Sequence, residues 1–385
     1  MPHHNALHFT RCGILSALCV LAAWSPSPLI GQETEDLQSI PPIESSWDDL
    51  LEGVDDADDW AVRKADIRQR FLKLLRDDQK PDRPPLDLQV HERVQVDSAY
   101  ERQLISYRVE GEERAHAYLG IPRHAGERQL PAIVALHGTF PQGKSRVAGL
   151  VDNPDKAYLD HLCRRGYVVI APDHFVAGHR TPEAGAYETE AFCAKHPNWT
   201  AVGKFTFEHS IAIDVLESLP FVDPDRVGAV GHSLGGHGTL FLAAYDDRVK
   251  VAAANCSGPT FRHNLRVLDW SRDRWYIYFK HLRPKLLAGD VPNVDFHEIM
   301  ALVAPRTLVD VSALNDGNPA SQRQRVLMLM KVMQVFELEG HPERFSFYVH
   351  GGGHSVPHRA RELMYAVFDE VLKPETTLTK RVDDK

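Results

Sequence analysis

After Pro131 the chain repeats one pattern, a short wholly apolar run bounded by turn residues and then a longer stretch with helical spacing. The apolar runs are Ala132–Leu136, Val168–Pro172, Val227–Val230, Val249–Ala254, Thr307–Val311 and Phe345–Val349. Lys156–Arg165, Glu208–Leu219, Leu234–Ala244 and Gln324–Gly340 are the helix-like segments between or after them. A strand apolar on both faces suits a parallel sheet covered by helices on each side. Before Pro131 the pattern differs. Leu88–Val94, Leu104–Val109 and Ala115–Ile121 alternate and are separated by polar turns, which predicts antiparallel strands along one edge. Ala57–Arg76 carries Trp60, Ile67, Phe71 and Leu74 at helical spacing, and Gln79–Pro85 ends it. The expectation is an α/β fold with a mostly parallel, doubly wound sheet and antiparallel N-terminal edge strands.

The first residues stand apart from this pattern. Arg11 precedes the apolar run Cys12–Trp24, and the Pro-rich, small-residue stretch Ser25–Gly31 follows. These are the parts of a secretory signal peptide, so residues 1–31 are expected to be removed and the protein to be periplasmic or secreted. The run is too short to span a bilayer, which needs about 20 apolar residues, and no stable membrane insertion is expected. Export leaves Cys163, Cys193 and Cys256, an odd number that allows at most one disulfide. The 385 residues are 43% hydrophobic and 25% charged, which excludes a disordered, collagen-like or coiled-coil chain. A formal net charge of −9 without a long Lys/Arg run excludes nucleic acid and an anionic membrane surface as partners.

The densest chemistry follows one predicted strand. Val227–Val230 runs into Gly231-His232-Ser233-Leu234-Gly235-Gly236 and then a helical stretch. This is G-x-S-x-G between strand and helix, where a nucleophile on a strained turn crowds the positions two before and two after it. Gly231 and Gly235 relieve that crowding. The helix N-terminus behind Ser233 points N–H groups and a positive dipole end at the reacting centre. The chain here resembles the α/β-hydrolase superfamily, over about residues 88–371. Arg165–Val169, Val222–Gly228, Asp247–Val249 and Leu302–Arg306 are similar to its acetylxylan-esterase-like and dienelactone-hydrolase-like branch. The stretch VDPDRVG before the elbow also recurs in prolyl-oligopeptidase-type peptidases.

That resemblance implies further parts. His137-Gly138-Thr139-Phe140, after the first parallel strand, looks like the oxyanion turn, which makes the backbone N–H groups of Thr139 and Leu234 the expected donors. His137 itself is expected to brace the loop. For the triad acid, Asp310 and Asp316 compete. Asp310 lies inside a strand. Asp316 lies past the strand end, where catalytic groups of open α/β sheets gather, and is preferred. The histidine is expected at His354, in the glycine-rich loop Gly351–Gly353 that lets an imidazole reach the serine. His350, His354 and His358 stand four apart, but the glycines argue against a helical metal face, and no metal site is expected. Asp173 reads as an architectural turn residue, and Arg180 as the partner of an acid in its own loop, with a grip on an anionic substrate group as the alternative.

The expected organisation is a signal peptide at 1–31, a helical extension at 32–86, a catalytic domain at 87–375 with insertions at 174–207 and 257–298, and a polar tail at 376–385. The second insertion holds Phe261, Trp270, Trp275, Tyr276, Tyr278 and Phe279, which either cap a pocket and stack on a sugar or aryl group, or pack onto the core. The expected function is a cofactor-free serine carboxylic-ester hydrolase with Ser233, His354 and Asp316 as triad, acting on a small-molecule or carbohydrate ester. A prolyl-oligopeptidase-like peptidase without its propeller and a non-catalytic binding protein are the alternatives.

Overall fold

Six apolar runs after Pro131 all become strands of one nine-stranded sheet. In a computed structural model describing residues 40–372, apart from positions 127, 153, 258 and 259, the strands are β1 (Gln89–Val96), β2 (Tyr100–Glu110), β3 (Glu113–Pro122), β4 (Leu130–Leu136), β5 (Val168–Pro172), β6 (Val222–His232), β7 (Val249–Asn255), β8 (Thr307–Ala313) and β9 (Phe345–His350). Their spatial order is β1-β2-β3-β5-β4-β6-β7-β8-β9. β1, β2, β3 and β5 pair antiparallel in succession, and every pairing from β5 onward is parallel. β4, β5 and β8 are buried along their whole length, as their apolar composition requires. β1, with His91, Glu92 and Arg93, is mostly exposed, and its charges suit a sheet edge.

Each face of the sheet carries its own core. Helices Tyr158–Arg164 and His358–Leu372 cover one face through Tyr158, Leu162, Met364 and Phe368. Helices Ala201–Glu217, Leu234–Tyr245 and Pro319–Leu338 cover the other. The helix Ala57–Leu75 joins this second layer, with Phe71 stacked on Phe241 at 6.0 Å. Two of the long helices escape the pattern reading. His358–Leu372 has no counterpart in it, and Ala201–Glu217 begins seven residues before Glu208. Residues 201–213 are buried all round, so that part of the helix shows no polar stripe. Thr200 caps it by accepting from the Gly203 N–H at 2.8 Å. The insertion expected at 174–207 therefore ends inside a core helix.

The expected signal peptide and polar tail lie outside the described residues. Among the described residues no helix is long and apolar enough to cross a membrane, and Cys163, Cys193 and Cys256 are free thiols. β4 has β5 on one side and β6 on the other, so successive connections leave in opposite directions. A crevice opens at the carboxyl ends of strands at such a point.

Candidate active site

Ser233 sits at that crevice, in the one residue between β6 and its helix. Its φ of 59° and ψ of −122° are costly for a residue with a Cβ, and close packing holds them. A Cβ on Gly231 would lie 2.2 Å from the Gly235 carbonyl oxygen, and a Cβ on Gly235 would lie 2.2 Å from that of Leu136. The Ser233 N–H donates to Asn255 O at 2.9 Å, tying the turn to the end of β7.

The loops after β8 and β9 bring the other two predicted side chains to the serine. His354 Nε2 lies 2.9 Å from Ser233 Oγ, and His354 Nδ1 lies 2.8 Å from Asp316 Oδ2. Burial alone would raise the Asp316 pKa, but the hydrogen bond and charge of His354 outweigh it and carry the carboxyl below its usual range. The two loops are stitched together. Gly353 N–H donates to Asn315 Oδ1 at 2.8 Å, Leu314 N–H donates to His350 O at 2.9 Å, and Gln322 Nε2 donates to Asp316 O at 2.8 Å. Gly353 has φ 66°, a conformation that favours glycine.

Leu234 is the first residue of its helix, so its N–H has no intrahelical acceptor. The Gly138 backbone approaches Ser233 so closely that a Cβ would stand 3.4 Å from the serine Cβ. Thr139 and Ser233 line the same cavity, of about 360 Å³. His137 is fully buried; its Nδ1 donates to Gly138 O at 2.7 Å, and its Nε2 accepts from the His174 N–H at 2.9 Å. It braces the loop from below.

The wider family can now be read. The model of the dienelactone hydrolase family matches residues 115–264. The YtaP protein of Bacillus subtilis (strain 168) is 30% identical over 264 residues, 66% of this chain and 81% of that protein. The chain belongs to the dienelactone hydrolase family. The carbohydrate esterase MZ0003, from an unknown prokaryotic organism, is 27% identical over 143 residues, 35% of this chain and 32% of that protein. Among solved structures, the methylesterase BT1017 superposes with a TM-score of 0.64 at 17% identity, over 87% of this chain and 70% of that one. A glucuronoyl esterase from Solibacter usitatus superposes at 0.61 and 21%, over 83% and 94%. These superpositions establish the α/β-hydrolase fold.

In this hydrolase the two competing aspartates occupy different worlds. Asp310 is fully buried in β8 and paired with the Arg325 guanidinium; it also accepts from Ser312 Oγ at 2.6 Å and Ser257 Oγ at 3.3 Å. Its partners Ser312 and Arg325 line the cavity, whereas Asp310 itself does not. Arg180 is buried and ion-paired, but its partners are not in its own loop: they are Glu113 on β3 and Glu208 on the helix Ala201–Glu217. Asp173 accepts from the Lys144 and His179 N–H groups at 2.9 and 3.0 Å and pairs with the Lys144 ammonium, an architectural role. His350 and His358 join no metal-ligating group among the described residues.

The aromatic residues of 257–298 divide. Phe261 and Phe279 sink into the core against Phe296 and Phe241. Trp270, Trp275, Tyr276 and Tyr278 line the cavity beside Ser233, with His237, Arg266 and Arg272.

Sequence reasoning missed Tyr187. Its hydroxyl lies 2.7 Å from Phe140 N, 2.9 Å from Phe140 O and 3.1 Å from Gly138 O, so it clasps the predicted oxyanion turn. Its φ of 67° is strained for a tyrosine. A tyrosine 49 residues from Gly138 in an irregular insertion leaves no local signal.

Proposed function

We propose that the protein is an exported serine carboxylic-ester hydrolase whose substrate carries its ester on a carbohydrate. The observation that carries this reading is the unbroken line from Ser233 Oγ through the His354 ring to Asp316, with separations of 2.9 and 2.8 Å. With the Nδ1 proton held by Asp316, Nε2 is free to accept the serine proton. Ser233 attacks the ester carbonyl while the Thr139 and Leu234 N–H groups stabilise the oxyanion. His354 returns the proton to the leaving alkoxide, and water releases the acyl group by the same steps reversed. The cycle needs no metal or organic cofactor. Esterase relatives and neighbours, among them a carbohydrate esterase and a glucuronoyl esterase, support the ester bond and the carbohydrate. An aromatic cavity wall offers flat faces for sugar rings. The described residues before β4 form three strands of the same sheet, one α-helix and two short 3-10 turns, so nothing among the described residues serves as a peptidase propeller.

A fluorophosphonate probe and a substrate panel test the reading. Labelling at Ser233 is expected, with hydrolysis of 4-nitrophenyl acetate and of at least one among acetylated xylan, uronate methyl esters and feruloyl esters, and without cleavage of proline amides. Absence of labelling, or labelling that survives Ser233→Ala, overturns it.

A further inference from the structure

One group at the site has no part in that cycle. Cys256 follows β7 with φ 46°, held there by its N–H donating to Val311 O at 2.7 Å. Its thiol is buried at 4% exposure and lies 3.7 Å from Ser355 O. Cys256 Sγ, an Asp316 carboxylate oxygen and a His354 ring nitrogen lie within 4.8 Å of one another. We infer that Cys256, Asp316 and His354 form a binding site for a soft divalent cation such as Zn²⁺ or Cd²⁺, and that the bound ion inhibits the hydrolase. The inhibitory half rests on the function proposed above; the binding half does not.

The donor set fits such an ion. Thiolate, imidazole and carboxylate together select zinc-like ions over Mg²⁺ or Ca²⁺, which take oxygen. Ligands of a tetrahedral zinc ion stand roughly 3.3–3.6 Å apart, given bonds of about 2.0–2.3 Å. The three atoms lie within 4.8 Å of one another, so binding requires side-chain rotations of about an ångström to reach that spacing. All three residues line the cavity beside Ser233, so the ion has a path in and water can fill a fourth position. The charges of Arg325 and Lys156 act on the thiol. Arg325 is already paired with Asp310, and Lys156 is held below its usual pKa, chiefly by burial.

The chemistry of inhibition follows from the imidazole. An ion on Nδ1 takes the lone pair that appears when the Nδ1 proton moves to Nε2. Nε2 then carries a hydrogen and donates to Ser233, so it no longer accepts the serine proton. The Cys256 proton leaves to solvent, one proton for each ion bound. Because the ion lies behind the imidazole, inhibition is expected to lower kcat and leave KM unchanged.

The test uses the full protein, ZnCl₂ and CdCl₂ with calorimetry, ultraviolet absorption and 4-nitrophenyl acetate hydrolysis. Zn²⁺ is expected to inhibit, EDTA to restore activity, and Mg²⁺ to do nothing. Cd²⁺ is expected to produce a thiolate charge-transfer band that is absent in Cys256→Ser. That variant is expected to bind Zn²⁺ more weakly by over roughly tenfold, the loss that even a supporting residue of a metal site causes. Ser233→Ala, which leaves all three donors in place, is expected to bind Zn²⁺ as the parent does. A cadmium band that persists in Cys256→Ser assigns the ion to another cysteine and overturns the site, as does unchanged zinc binding in that variant. Activity that survives Ser233→Ala overturns the proposed function instead and leaves the absorption result standing.

Discussion

At the Ser233 turn, conformation hangs on missing atoms, whereas across the cavity the 257–298 wall hangs on large ones. On the turn, a Cβ at Gly231 or Gly235 would meet backbone oxygen at 2.2 Å, and no rotamer relieves a clash with backbone. On the wall, Trp270 packs against Phe296 at 5.1 Å and Tyr278 at 5.0 Å in tilted or edge contacts, each of which can shift a little. Hard sterics make the first region intolerant of any change. Packing makes the second graded, so that losses there scale with the volume removed.

The contrast can be broken at five places. Ser233→Ala removes the proposed nucleophile, and kcat is expected to fall on the order of 10⁶-fold while the circular-dichroism spectrum stays native. Asp316→Asn keeps the shape but loses the charge that sets the His354 tautomer, and kcat is expected to fall about 10⁴-fold; a fall under tenfold shifts the acid role away from Asp316. Gly235→Ala drives a methyl into Leu136 O and is expected to cost more than about 4 kcal/mol in denaturant unfolding, or to prevent folding. Trp270→Ala, on the tolerant wall, is expected to cost about 3 kcal/mol and still fold. If it unfolds the protein while Gly235→Ala does not, the contrast is reversed. Tyr187→Phe removes one hydroxyl from the oxyanion turn. A loss of about 1 kcal/mol, or roughly fivefold in kcat with KM steady, is expected from steady-state kinetics.

The same contrast explains what could be read in advance. The strand runs of β4–β9 were legible because strands covered on both faces must be apolar throughout. The elbow was legible because its motif is local and Gly231 answers to a clash with Gly235 four residues on, although the oxygen that excludes a Cβ at Gly235 belongs to Leu136 of β4. The helical start at Ala201 was not, because burial on all sides erases the polar stripe that marks a helix. Asp316 could be preferred over Asp310 from its place beyond a strand end, yet nothing near Asp310 in the chain announces Arg325 as its partner. Arg180 shows the same limit. Its charge promised an ion pair, but Glu113 and Glu208 come from elements 67 and 28 residues away.

Local order along the chain thus determined the α/β sheet and the nucleophile turn, because each depends on periodicity or on glycines placed around one residue, while the candidates Thr139, Leu234, Asp316 and His354 followed from the resemblance which that turn carries. Tertiary structure alone decided that Tyr187 clasps the oxyanion turn, which aromatic residues of 257–298 face the cavity, and that Cys256 stands against Asp316 and His354. Those relations join side chains tens to more than a hundred positions apart. A side chain's reach is only a few ångströms, so its partner is chosen by how the sheet and its loops close in space.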